Sequence, residues 1–163
     1  MTLWTADSIL SRHLEHRKSI LRAYRDRMQI SKAVDFEVYR PVYNALLDAS
    51  MVTCRSLWEL LGVTVPSLSE KYPASPTVAA EFSSWIKYIK PKLPPGIEIL
   101  NFDERQFNDL PEKKEIVLVL VAANKCVAHL DAYADHGVGD AQMDPAIEAT
   151  LREVGNRIRN RQP

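Results

Sequence analysis

The chain has only two cysteines, Cys54 and Cys126. Neither stands in a CxxC pair or at metal-ligand spacing from a second histidine, which removes a locally encoded zinc site. Buried free thiols in a reducing compartment are the expectation for both. There is no net charge either: 21 Lys and Arg balance 21 Asp and Glu. A molecule-wide basic field of the kind that announces nucleic acid is therefore missing. The apolar run at 116–123 is far too short to span a bilayer. Residues 1–10 lack a basic stretch followed by a long apolar core. The expectation is a cytoplasmic chain with no membrane partner. GxGxxG, P-loop, HExxH and GxSxG motifs are also missing, and no cofactor is implied.

What is present is helical periodicity. With 163 residues, 46% hydrophobic and 26% charged, the sequence fits a single soluble domain, 1–163, able to bury a core. Leu10, Leu14, Arg17, Leu21, Tyr24 and Met28 alternate four and three residues apart. This apolar stripe, broken once by Arg17, predicts a first helix over about residues 6–29, capped by Thr5 or Asp7. Past a short linker at 30–34, Phe36, Tyr43, Leu47, Cys54 and Leu61, joined by Leu46, Met51 and Leu57, predict a second long helix over 35–62. Pro41 lies near its start and Gly62 is its natural C′ residue. The brevity of the linker predicts an antiparallel hairpin of these two helices.

Pro66 and Pro73 mark a loop. Ser75 and Pro76 then cap a third helix with Val78, Phe82, Trp85 and Ile89 on one face, ended by Pro91. The stretch 91–110 is irregular, with a short extended IEIL. Asp109 and Pro111 restart a helix that runs over 112–133, with Glu112 and Glu115 near its positive end. Asp144 and Pro145 cap a last helix carrying Ile147, Leu151, Val154 and Ile158 on one face. Residues 116–121 are rich in β-branched side chains and would also suit a buried strand. The pattern, however, continues through Ala122, Ala123 and Ala128 without a breaker, and no strand of comparable strength is there to pair with it. The fold class that follows is all-α: one bundle of about five helices with a long N-terminal hairpin and no sheet.

The helix at 112–133 is apolar nearly all round, so it belongs at the centre, with Val117, Leu118, Val121 and Ala122 buried. Its last turns gather Asn124, Lys125 and His129. Residues 125 and 129 share a helix face and 124 lies beside them. A histidine is the usual acid or base near neutral pH. An amide and an ammonium next to it suit a phosphate or a developing oxyanion. His129 equally fits a helix C-terminus, where the dipole favours histidine without any chemistry. Arg55, beside Cys54, is a supporting candidate: it either faces this cluster or reaches solvent. Asp131, Asp135 and His136 match no strong metal motif. Trp58 and Trp85 read as core. The basic stretches Arg12, Arg17, Lys18, Arg22, Arg25, Arg27 and Arg152, Arg157, Arg159, Arg161 read as solvated helix faces.

NALLDASMVTCRSLWELLG in the helical pair and ANKCVAHLD at the end of the central helix resemble the HEPN superfamily, above all its abortive-infection and toxin-like branches, across about residues 5–135. The resemblance implies a small α-bundle that forms a homodimer. It also implies an Arg-polar…His motif whose two copies meet at the interface, and in many members ribonuclease activity. His129 matches the family histidine and Asn124 the polar residue after the arginine. The arginine position itself holds Ala123. Lys125 or Arg55 would have to substitute, and a lysine lacks the planar fork of an arginine. Two functions follow as expectations. One is a toxin-like, RNA-acting protein with weakened or lost catalysis, His129 as acid/base, Asn124 and Lys125 as phosphate contacts, and an antitoxin-like protein as partner. The other is a catalytically silent dimeric module that binds a protein or nucleic-acid partner on the same surface.

Overall fold

A computed structural model describes residues 9–27, 36–65, 86–93, 97–128 and 138–160 of the chain. A π-helical turn, Ile9–Leu14, leads into α1 (Glu15–Arg25), and α2 (Phe36–Leu60) follows. Next come β1 (Val63–Thr64), β2 (Lys87–Tyr88), β3 (Ile97–Ile99) and the short α3 (Glu104–Asn108). The chain continues into α4 (Lys113–Ala128), α5 (Asp140–Arg157) and β4 (Ile158–Asn160). The described residues thus form an all-α bundle, with two small antiparallel ribbons, β1–β2 and β3–β4, at its edge.

α4 lies in the middle, packed against both α2 and α5. Every residue from 116 to 124 is buried, Val117, Leu118, Val121 and Ala122 among them. A helix apolar all round has no face to offer water and is stable only when neighbours enclose it. Those neighbours are supplied by one stripe each of the other helices: Leu21 and Tyr24 of α1; Met51, Cys54, Leu57 and Trp58 of α2; Met143, Ile147 and Val154 of α5. α1 packs on α2, as the two apolar stripes require. Each fully buried aliphatic or aromatic side chain contributes about 1.5–3 kcal/mol, so α4, buried from Ile116 to Ala123, contributes more to the core than any other one helix.

Gly62 ends α2 in the left-handed region, at φ +89°, and a Cβ there would stand 2.8 Å from the Ile89 carbonyl oxygen. Glycine is required on both counts. The Gly62 carbonyl then accepts from the Ile89 N–H at 2.8 Å, which seeds the β1–β2 ribbon. This corrects the sequence reading of a helix up to Pro91: from Ile86 to Leu93 the chain is not helical, and Lys87–Tyr88 form a strand. The rest of that expected helix, including Val78, Phe82 and Trp85, lies outside the described residues.

Two further corrections concern α5. It starts at Asp140, one turn before Pro145, rather than at the Asp144-Pro145 pair. Ile158 is not on its apolar face but in β4, where it pairs with Ile99. The extended IEIL finds its partner there. Trp58, Phe102 and Phe107 fill the space between the helices and these ribbons, with ring centroids 5.3–6.1 Å apart. The guanidinium of Arg157 stacks 3.5 Å over Phe102 and donates to the Leu100 carbonyl at 3.1 Å. Arg152 grips Glu112 through two 2.9 Å bonds, tying the start of α4 to α5. These bonds hold the Glu112 carboxyl below its ordinary range, against the smaller opposing effect of burial.

Candidate functional site

The candidates from the sequence sit at the C-terminal end of α4. Ala123, the position of the expected motif arginine, is 0% exposed. Asn124 is 8% exposed, and its Nδ2 donates to the Val65 carbonyl at 2.9 Å. The amide joins α4 to the chain leaving β1. It satisfies a buried backbone acceptor that would otherwise cost about 1–3 kcal/mol. Lys125 belongs to α4 by its backbone; its side chain, and His129 entirely, lie outside the described residues. Arg55 is half-buried on α2, with its Nε donating to Glu59 Oε1 at 3.0 Å. Glu59 also accepts from the Thr64 hydroxyl at 3.4 Å. Of the four candidates, the two whose side chains are described, Asn124 and Arg55, are each engaged within the fold.

Cys54 is fully buried, and burial pushes its thiol up to about 12, with the Thr150 hydroxyl a weaker opposing influence. A thiol so protonated is a poor nucleophile. The Thr150 hydroxyl donates to the Ala146 carbonyl at 2.6 Å and accepts from Trp58 Nε1 at 2.9 Å. This joins α2 to α5 through the core.

A second polar centre was not among the expected site residues. Arg27, read from sequence as part of a solvated face, is 3% exposed. Its guanidinium reaches Asp144 through Nη1 at 2.8 Å and Nη2 at 3.1 Å, and Asp140 Oδ1 through Nη2 at 3.0 Å. It also donates to the Tyr24 carbonyl at 2.9 Å and lies 4.1 Å from the centre of the Tyr24 ring. The hydroxyls of Tyr24 and Tyr43 both donate to Asp140 Oδ1, at 2.7 and 2.6 Å. Asp140 and Asp144 lie four residues apart at the positive N-terminal end of α5, which favours carboxylates. Burial alone would raise the Asp140 carboxyl, yet the donors Tyr43, Arg27 and Tyr24 hold it below its ordinary value. Burial pushes Tyr24 and Tyr43 upward, helped at Tyr24 by the Tyr43 hydroxyl and then Asp140 and at Tyr43 by Asp140, so both phenols stay protonated.

This arrangement is a clamp. One guanidinium is neutralised by two carboxylates, and two phenols spend their protons on one of them. Arg27 keeps its charge, Asp140 its carboxylate and the two phenols their protons, so none of these four is poised to give or take a proton near neutral pH. The clamp fixes α1, α2 and the first turn of α5 to one another. The pairing could have been suspected from phase: Arg27 follows Tyr24 by three residues and so continues the core stripe of α1.

Among the described residues, no group of three or more His, Cys, Asp or Glu could hold a metal ion. No helix of the described residues is long and apolar enough to cross a membrane. The chain matches no family model, no curated protein and no solved structure.

Proposed function

We propose that this chain is an HEPN-like helical module that works by association rather than by cleaving RNA. One observation carries the reading. The position that should hold the motif arginine is Ala123, enclosed in the core, and the polar residue after it, Asn124, has its amide bound to the Val65 carbonyl. A phosphate-neutralising arginine needs to reach substrate, and position 123 has no path to one. Phosphoryl chemistry depends on neutralising the charge that builds up in the transition state. Lys125 and His129 alone would leave it poorly balanced. The described part of α4 also has no exposed residue between Ile116 and Asn124 on which a second copy or a nucleic acid could rest. In this reading the chain is a cytoplasmic homodimer, and its partner is a protein.

The test is incubation of the purified chain with total RNA beside a His129→Ala control. The expected result is no cleavage by either. Cleavage by the wild type that disappears in His129→Ala would overturn the reading and restore the ribonuclease.

A further inference from the structure

Residues 86–93 hold three lysines and no acidic side chain, in a chain whose charges balance overall. Lys87, Lys90 and Lys92 are all exposed, and none is in an ion pair among the described residues. Arg22, Arg25 and Arg152, exposed as well, each have a carboxylate partner. Between the lysines lie Tyr88 and Ile89, exposed by 36% and 40%. A Cβ at Gly62 would stand 2.8 Å from the Ile89 carbonyl oxygen and 3.2 Å from Asn101 Cβ, which sets Leu100, 44% exposed, at the same end of the molecule. Apolar side chains inside a ring of unpaired positive charge mark a surface for a partner rather than a solvated face.

The patch includes a sheet edge. β1 and β2 form a two-stranded ribbon, and no other described strand pairs with β2. The Ile89 N–H donates to the Gly62 carbonyl, so the backbone groups of Ile89 turn toward β1. Those groups alternate in direction along a strand, so the N–H and C=O of Tyr88 turn to the free edge. Side chains alternate between faces as well. Tyr88 shares the inner face with its partner Val63, which is buried, and its ring lies 6.4 Å from that of Phe107. Lys87 and Ile89 share the outer face. We propose that β2 takes an acidic, extended segment of a partner protein as a third strand, with a carboxylate beside Lys87 and an apolar side chain two residues away beside Ile89.

Local charge selects the occupant. A second copy of β2 would bring lysine against lysine, and edge lysines guard sheets against self-pairing. A nucleic acid would carry its negative charge past the lysines toward α3, where Glu104 and Asp103 stand. After burial, the charges of these two acids push the Tyr88 phenol upward. A phosphate backbone also cannot continue the ladder at Tyr88. An extended peptide supplies both N–H and C=O, and its carboxylates meet the lysines and stop short of α3. Opposite charges and apolar pairs facing across neighbouring strands add to those backbone bonds. This deepens the association reading of the preceding subsection and rests on it, by naming the chemistry of the protein partner and the face it takes.

Fluorescence anisotropy of a labelled peptide of three Glu-Thr-Val-Thr repeats, titrated with the full chain, tests the proposal. As a strand this peptide alternates Glu and Val on one face, as β2 and the residue after it alternate Lys87 and Ile89. The expected result is saturable binding that weakens as salt rises, and that falls by about tenfold in Lys87→Glu and in Lys90→Glu. Both positions are exposed, so the variants stay folded, which circular dichroism checks. A peptide of Glu-Pro-Val-Pro repeats keeps the charges, lacks the N–H groups that would face Tyr88, and should not bind. A labelled uridine oligonucleotide of the same length should bind more weakly than the first peptide. No binding of the first peptide, equal binding of the proline peptide, or binding untouched by both substitutions would overturn the proposal. Tighter binding of the oligonucleotide would overturn it too and assign the face to nucleic acid. RNA cleavage that disappears in His129→Ala would sink the association reading instead, a result that the peptide titration neither produces nor hides.

Discussion

Ala123→Arg restores the arginine expected at the HEPN-like motif, and the surroundings of that position make the outcome a loss of stability. Ala123 is fully enclosed, on a helix whose residues 116–124 are all buried. The substitution adds a long side chain to a packed core, which costs about 1–3 kcal/mol where repacking is limited. It also brings a charge into that core, and a buried charge without a partner costs about 3–5 kcal/mol. Together these reach about 4–8 kcal/mol, against a total of about 5–15 kcal/mol for a domain of this kind. The variant should therefore be at or beyond the edge of folding. Urea unfolding followed by circular dichroism reads this directly. Ala123→Met separates the two causes: it carries similar length without charge and should lose only the steric part, about 1–3 kcal/mol. If Ala123→Arg kept the wild-type midpoint, and above all if the folded variant cleaved RNA, the placement of this position in the core and the association reading built on it would both be wrong.

Two further outcomes follow from the polar contacts. Thr150→Val keeps the shape of the side chain but leaves the buried Trp58 Nε1–H without its acceptor, so stability should fall by about 1–3 kcal/mol in urea titrations; an unchanged midpoint would show that this bond contributes nothing. Asp140 has a folded-state carboxyl value below the ordinary 3.8, so its contribution is fully present above that value and is lost as pH falls through the lowered one. Unfolding free energy measured from neutral pH down through the carboxylate range should show an acid-side decline that is shallower in Asp140→Asn, and equal slopes would refute the clamp.

The sequence makes the long elements legible because each rests on a pattern that repeats. α1 and α2 follow from stripes of period 3.6, and Leu21, Tyr24, Cys54 and Leu57 are buried where those stripes place them. α4 follows from the opposite signal, an apolar surface with no polar side, and that pattern also locates it at the centre. Gly62 is legible as a helix end because only glycine adopts its backbone geometry. The ribbons are not legible. Two- and three-residue strands have too few positions to show alternation, and their existence depends on partners far along the chain, Ile99 with Ile158 and Val63 with Tyr88. The start of α5 is missed because Pro145 resembles a first-turn proline, while the helix begins a turn earlier.

Charge identity misleads at Arg27 for a related reason. A basic residue on a helix rich in basic residues looks solvated until its phase is considered: it lies three residues beyond Tyr24, on the buried side. Its partners, Asp140 and Asp144, are more than a hundred residues away, so no local spacing announces them. α2 shows the reverse case. Its inner stripe, Leu47, Cys54 and Leu57, packs into or against the core, while Val38, Val42 and Val52 on its other side are exposed. Burial, which the sequence does not carry, is what separates a core stripe from an exposed one of the same period.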